Sequence, residues 1–380
     1  MDKCCGLDVH KDSIFACILD AQGEKILEKR YGTLTSELTQ LRENLIEHGC
    51  GKVAMESTSI YWMPVWRVLQ SDFSLKLANP YFIKQLPGRK SDVKDAHWIG
   101  ECLQKDLIKG SFVPDEVFQQ MRQYSRQCRR LTKSRARLEQ QMDNQLQRCN
   151  IRFSNYVSNQ GNNVSLRKII KAITEGERDP VKLIRLVHGR TKNRHGVQAV
   201  TNSLDGIIND TDREMLIQCM EQIDLLEKQR ARSLNHLEEL ADKYYAREIS
   251  LLCTIPGIQK FSAMCILSEI GNDMSAFQKA THLIGWAGLR PRNDETSEKI
   301  RSRKILHGNK YLRQTLVEIS WSAARSDKSF LGRKFDCLSK RMKSQKALLA
   351  VTRKILVIIY NVLNTKQPFD PKRNLQAIVA

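Results

Sequence analysis

Apolar and polar positions alternate in three different rhythms along the chain. The first is short-period. Lys3-Cys4-Cys5-Gly6-Leu7-Asp8-Val9 and Ser13-Ile14-Phe15-Ala16-Cys17-Ile18-Leu19-Asp20 are apolar runs about a polar turn, His10-Lys11-Asp12. This predicts two strands whose weak alternation reflects cover on both faces. Lys25 to Gly32 reads as a third strand. Ser36 with Glu37-Leu38 opens a helix to His48, ended by Gly49. Lys52 to Glu56 is a short buried strand, Tyr61 to Gln70 a helix, and Phe73 to Ala78 a strand stopped by Asn79-Pro80.

The second rhythm is helical. Val117, Met121, Tyr124, Cys128, Leu131, Leu138, Met142 and Cys149 keep a 4-3 spacing, broken only by Arg135 and Gln145. That predicts one long helix with a coiled-coil seam. Thr211-Asp212-Arg213-Glu214 reads as a capping box. It opens a second seam at Leu216, Met220, Ile223, Leu234, Leu237, Ala241 and Tyr244. Residues 161–210 between them hold short helices, so the middle of the chain is expected to fold back on itself as an arm, for dimerisation or for bridging two lobes. From Ile249 a third, globular rhythm begins. Ile255-Pro256-Gly257-Ile258 before a helix resembles half of a helix-hairpin-helix, a turn that offers amides to a phosphate. The expected division is 1–112, 113–248 and 249–380. The fold class is an α/β N-terminal domain with three meandering strands followed by strand–helix alternation, an order found in ribonuclease-H-like (RuvC-like) and other α/β folds, then a helical coiled-coil arm and a mainly α C-terminal domain.

Charge adds a partner. Lys and Arg number 62 against 42 Asp and Glu, a net +20, which favours a polyanion, most often nucleic acid. Half of the excess falls between Arg290 and Lys346, where 16 basic and 6 acidic residues give +10. The eleven cysteines include no C-x-x-C pair, which argues against zinc knuckles and a disulfide scaffold and for a reducing cytosol. The start is unlike a signal peptide. The most apolar run, Ala347 to Leu363, is interrupted by Arg353-Lys354 and is too short for a bilayer span. The reading is a cytoplasmic protein with no membrane partner.

Candidate chemistry begins at Asp8. A carboxylate inside an apolar strand costs several kcal/mol unless something positive compensates it, and a metal ion would. Glu56 ends a buried strand, and Asp92 and Asp95 share one face at the start of a helix by their i, i+3 spacing. Together these four form an oxygen-ligand set for two Mg²⁺ ions, the arrangement that stabilises both the attacking and the leaving oxygen of a phosphodiester. Each has a plainer alternative: Asp92 as a helix cap, Asp95 as a partner of Lys94 or Arg89. In the basic stretch, Arg290, Arg292, Arg301, Arg303 and Lys304, followed by Lys310 and Arg313, are candidates for clamping phosphates.

These residues also carry a family resemblance. Gly6-Leu7-Asp8-Val9-His10-Lys11, Met55-Glu56-Ser57-Thr58 and Lys94-Asp95-Ala96 resemble the DEDD, RuvC-like catalytic domain of bacterial insertion-sequence transposases, those described as bridge-RNA-guided recombinases. Thr174-Glu175-Gly176-Glu177-Arg178-Asp179-Pro180, Ile255-Pro256-Gly257-Ile258, Ala287-Gly288-Leu289 and Gly308-Asn309-Lys310-Tyr311-Leu312-Arg313 resemble the same family in the same order. The resemblance implies that Asp8, Glu56, Asp92 and Asp95 are metal ligands. It also implies a structured guide RNA, DNA as substrate, a homo-oligomer (dimer or tetramer) with one site built from different subunits, and a C-terminal serine nucleophile that forms a phosphoserine link. The family places that serine after a glutamate. Here Glu295 is followed by Thr296, with Ser297 one step later. Three alternatives stay open: Thr296 attacks, Ser297 attacks after a shift of its loop, or this copy is impaired.

Other classes are weighed against this one. A structure-selective endonuclease such as a Holliday-junction resolvase uses the same carboxylates without a covalent step. An actin-like or sugar-kinase ATPase also opens on a Gly-hydrophobic-Asp strand, but follows it with a Gly/Thr/Ser phosphate turn where this chain has His10-Lys11-Asp12. A non-enzymatic coiled-coil DNA binder gains nothing from acids buried in its sheet.

Overall fold

The structure, a computed structural model, describes residues 3–83, 92–157, 164–290, 294–296, 299–302, 305, 307–326 and 329–371. The chain divides into two compact units, Met1–Val113 and Pro114–Ala380.

In the first unit, β1 (Cys4–Val9), β2 (Ile14–Leu19) and β3 (Lys25–Tyr31) form a meander. After α1 (Thr35–Glu47), β4 (Lys52–Glu56) lies parallel to β1. Then α2 (Trp62–Leu69) leads to β5 (Ser74–Ala78), parallel to β4. The sheet order is β3-β2-β1-β4-β5. A short α3 (Pro80–Ile83) follows, then α4 (Asp92–Gln104).

Both faces of the sheet are covered, which explains the weak alternation of its central strands. Cys5, Leu7 and Val9 point to one face, where Leu38, Leu41 and Leu45 of α1 and Val65 and Leu69 of α2 pack on them. Cys4, Cys17, Leu19 and Ala54 point to the other, against Ala96, Ile99, Cys102 and Leu103 of α4. The result is a three-layer, mixed α/β unit.

In the second unit, α5 (Glu116–Arg148) is a single 33-residue helix. The short helices α6 (Val164–Thr174), α7 (Pro180–Leu183), α8 (Gly189–His195) and α9 (Val197–Asn202) cap its far end. The chain returns along α10 (Asp210–Cys253). The pairing is antiparallel: Phe118 stacks on Tyr245 at 4.2 Å, Arg230 Nε donates to Thr132 Oγ1 at 3.1 Å, and Gln145 Nε2 donates to Asp212 Oδ1 at 2.7 Å.

Three details of the arm depart from the sequence pattern. Phe118, Ser125 and Leu146 are buried on α5 where Val117 and Tyr124 are only partly so, because a 3.6-residue helix drifts across a strict seam. On α10 the stripe breaks after Ala241 and resumes at Ile249. Tyr244 is 48% exposed, since Tyr245 leaves helical geometry (φ −138°, ψ 25°) and turns its own ring onto Phe118. The capping box is Asn209 with Asp212, so the helix starts ahead of the Thr211 reading.

Beyond α10, α11 (Lys260–Ile270) and α12 (Ala280–Trp286) lead to a two-stranded hairpin, β6 (Asp294–Thr296) and β7 (Lys299–Ser302). Then come α13 (Lys310–Ala324), α14 (Phe330–Ser339) and α15 (Ser344–Thr365). The basic stretch between α12 and α13 is therefore partly β-paired. The apolar run that looked too short to span a bilayer is part of a 22-residue helix, long and apolar enough on those criteria alone. Its most apolar window is 61% buried within the fold, as a core helix is. The Ile255–Ile258 turn also has a structural role: Gly257 sits at φ +89°, and a Cβ there would touch Ile319 O at 3.0 Å and Ala323 Cβ at 3.2 Å. Its glycine serves close packing on α13.

Candidate functional site

The alternation of β1 decides where Asp8 points. Cys4, Gly6 and Asp8 share the α4 face, and Asp8 is only 6% exposed there. The β1–β4 register pairs Cys4 with Lys52 and Leu7 with Met55. Carried one residue on, it sets Asp8 level with Glu56. Directly opposed residues in neighbouring strands point the same way, so both carboxylates belong to the α4 face.

The helix direction supplies the rest. Cys4 Sγ donates to Gly100 O at 3.7 Å, and a Cβ on Gly6 would overlap the backbone of both Ala96 and Gly100. Moving from Cys4 toward Asp8 thus runs backward along α4, toward its first turn. Asp92 and Asp95 stand one turn before Ala96 and Ile99, both buried on the sheet. The fold gathers two carboxylates at strand ends and the acidic start of a helix at one end of one sheet face. The side chain of Asp92 lies outside the described residues.

Around Asp8 the surroundings are specific. His10 Nε2 lies 2.9 Å from Asp8 Oδ2, and Phe15, the cross-strand partner of Asp8, meets the His10 ring edge-on at 6.2 Å. At the β4 end, Thr58 Oγ1 donates to Glu56 Oε1 at 3.3 Å, and Ser59 takes a left-handed φ of +51°. Such a conformation costs a non-glycine residue about 1 kcal/mol or more and clusters where loops are held for a purpose. Asp8, Glu56 and Asp95 are all carboxylates, the oxygen ligands that a hard divalent cation such as Mg²⁺ prefers. Among the described residues no group of three or more His, Cys, Asp or Glu side chains is placed to hold a metal ion.

The second unit presents the hydroxyl-bearing hairpin. Thr296 ends β6, paired with Lys299. The side chains of Thr296 and Arg301 lie outside the described residues, as do Arg292, Ser297, Arg303 and Lys304 altogether. Of the phosphate-clamp candidates, Arg290 and Lys310 are exposed and Arg313 half-buried. The base of the hairpin is clamped: a Cβ on Gly308 would overlap the backbone of Gly288, and Asn309 N donates to Trp286 O at 3.1 Å. This is the physical reason for glycine in both the Ala-Gly-Leu and Gly-Asn-Lys segments.

Asn309 also anchors a buried charge that the sequence reading missed. Its Oδ1 caps α13 by accepting from Tyr311 N and Leu312 N, and its Nδ2 donates to Glu269 Oε2 at 2.6 Å. Glu269 is 2% exposed and takes a two-pronged contact from Arg126, with Nε to Oε1 and Nη2 to Oε2 both at 2.8 Å. Arg122 Nε lies 3.3 Å from Glu269 Oε2. Burial pulls the Arg122 guanidinium down to about 10, against the opposing pull of Glu269, so it stays charged at neutral pH. Arg126 also covers the Tyr311 ring at 4.3 Å. The signal was available: a glutamate in the apolar run Met264-Cys265-Ile266-Leu267-Ser268-Glu269-Ile270 poses the same question as Asp8.

Comparison with known proteins agrees in both units. Residues 5–151 match a DEDD-type family model described as a transposase, and residues 249–333 match one described as transposase IS116/IS110/IS902 family. The chain is similar to the pilin gene-inverting proteins of Moraxella bovis and Moraxella lacunata, each 35% identical over 130 residues. Those alignments cover 32% of this chain and 39% of each relative, well under half the length of the curated relatives.

Proposed function

Because residues 5–151 and 249–333 of this chain match transposase family models, the second of the IS116/IS110/IS902 family, we propose that it cuts and rejoins DNA as the transposase of an insertion sequence. The observation that carries the reading is the level placement of Asp8 and Glu56 on adjacent parallel strands, at the sheet end that the first turn of α4 overhangs. The relatives named for inverting a pilin gene support recombination as the outcome.

The first unit, over residues 1–112, is read as a RuvC-like, ribonuclease-H-like domain. Asp8, Glu56, Asp92 and Asp95 would hold one or two Mg²⁺ ions. When bound, the cation neutralises charge on the phosphate and its attacking and leaving oxygens. The chain's own part is positioning. The sheet fixes Asp8 and Glu56, α4 fixes the other two acids, and His10 restrains the Asp8 carboxylate. Residues 249–380 would supply the nucleophile. The hydroxyl of Thr296 or Ser297 loses its proton and bonds to phosphorus, and a deoxyribose oxygen leaves and takes up a proton. Arg290, Arg292, Arg301, Arg303, Lys304, Lys310 and Arg313 would hold the backbone phosphates. A structured RNA would supply target choice, and a homo-oligomer built through the arm at 113–248 would complete the site in the cytoplasm.

The test is strand cleavage and rejoining by the full chain on element-end DNA with its flanking RNA and Mg²⁺. Asp8→Asn and Glu56→Gln should each reduce turnover by at least a hundredfold while leaving the fold unchanged by circular dichroism. A Thr296→Ala/Ser297→Ala double variant should lose a trapped protein–DNA adduct. Full activity in the two carboxylate variants overturns the metal role. An adduct that persists in the double variant overturns the nucleophile assignment.

A further inference from the structure

A groove on the second unit shares only Lys310 with the phosphate contacts proposed above. It opens among α5, α10, α11 and α13 with a volume of about 1190 Å³. Six of its lining residues are cationic and one, Glu318, is acidic. Two of the cations are committed: Arg126 to Glu269, and Arg129 to Glu318 Oε1 at 3.2 Å. The other four, Arg130, Lys133, Arg230 and Lys310, have no carboxylate within ion-pair distance among the described residues. Cations held this close together without counter-charges repel one another, and a polyanion relieves that repulsion.

Shape narrows the ligand. The volume exceeds the roughly 300–1,000 Å³ of small-molecule sites. Arg130 and Lys133, the two uncommitted cations of this wall, stand three residues apart on one face of α5, so they sit about 5–6 Å apart along a stiff rod. Arg230 faces them from α10 and Lys310 from α13. A row of charges on one wall and single charges on the others suit a sugar-phosphate backbone laid along the groove. Lys310 sets the direction. It is the first residue of α13, immediately after the Gly308–Asn309 clamp at the base of the hairpin. Duplex DNA held for reaction at the hairpin would continue over that helix start into the groove.

We propose that this groove is a docking surface for the backbone of double-stranded DNA, with Arg130, Lys133 and Arg230 as phosphate contacts. It rests on the transposase reading for the identity of its ligand.

The test is the affinity of the full-length protein for a fluorescent 30-base-pair duplex, measured by anisotropy across a salt series, with a structured RNA of equal charge as a second probe. Arg130 and Lys133 are both exposed, so Arg130→Gln/Lys133→Gln should fold normally. It should weaken duplex binding roughly tenfold or more near physiological salt, and the slope of log affinity against log salt should fall by about 1.8, two phosphate contacts' worth. A charge-matched control, Lys168→Gln/Arg190→Gln on exposed positions of α6 and α8, should change both much less. Equal losses in both variants would mean a diffuse field and overturn the site. Unchanged duplex affinity would overturn it too, and loss of RNA binding with duplex binding intact would overturn the assignment to DNA. Cleavage chemistry is read separately: a failure of the Asp8→Asn test would leave the anisotropy result standing.

Discussion

Gly6 on β1 lies directly against Gly100 on α4, so close that a methyl group on Gly6 would overlap the Gly100 amide nitrogen and the Ala96 carbonyl. Two residues without side chains let the helix settle onto the strand two positions before Asp8. Backbone, unlike a flexible side chain, cannot give way cheaply. Gly6→Ala should therefore lift α4 and destabilise the unit by about 1–3 kcal/mol or more. Thermal unfolding would show the loss. DNA cleavage should fall further than stability explains, because the lift also moves Asp92 and Asp95 away from Asp8 and Glu56.

The Glu269 cluster invites a comparison of buried and exposed ion pairs. Glu269→Gln leaves two guanidinium groups facing a neutral amide in a buried setting, a change that typically costs about 3–5 kcal/mol. Glu318, 56% exposed and paired with Arg129, should behave differently. Glu318→Gln should cost under about 1 kcal/mol. Chemical denaturation of the two variants would check the order, and equal midpoints would refute it.

A surface pair makes stability depend on pH. Arg42 Nε and Nη2 donate to Asp72 Oδ2 and Oδ1 at 2.7 and 2.8 Å. The guanidinium, helped by the Ser71 hydroxyl, holds the Asp72 carboxyl below its ordinary value. A lowered folded-state pKa gives stability that is complete above the unfolded carboxylate value and vanishes as pH falls through the folded one. Asp72→Asn should lower the melting temperature at pH 7, and the gap should close as the pH falls below the ordinary carboxylate range.

Thiol chemistry should sort the eleven cysteines. Cys253 and Cys337 are exposed, Cys219 is partly so, and the other eight are buried. Burial also pushes the Cys17, Cys50 and Cys102 thiols up to about 11, and Cys265 to about 12, which keeps them protonated and unreactive. A thiol reagent at neutral pH should modify two residues quickly, and all eleven only after unfolding. Mass spectrometry of the labelled chain would count them.

Much of the first unit was legible because its central strands are apolar runs, because Asn79-Pro80 stops β5, and because Asp8 and Glu56 break such runs. That they form a set was an expectation, but their level placement depends on the β1–β4 register, a long-range pairing that no local pattern encodes. The hairpin at 294–302 escaped because its strands are short and polar, with no apolar alternation to mark them. Glu269 escaped for another reason. Its partners Arg122 and Arg126 sit more than 140 positions earlier, in a helix read from its apolar seam alone.

The arm carries a constraint on how the protein can change over evolutionary time. α10 runs for 44 residues, about 66 Å if straight, and pairs with α5 from Phe118–Tyr245 to Gln145–Asp212. Each added residue rotates everything beyond it by about 100°. An insertion in one helix alone would throw the two out of phase and turn the buried stripe toward water. The arm can lengthen only by near-whole turns, matched in both helices, so its reach should be inherited in steps.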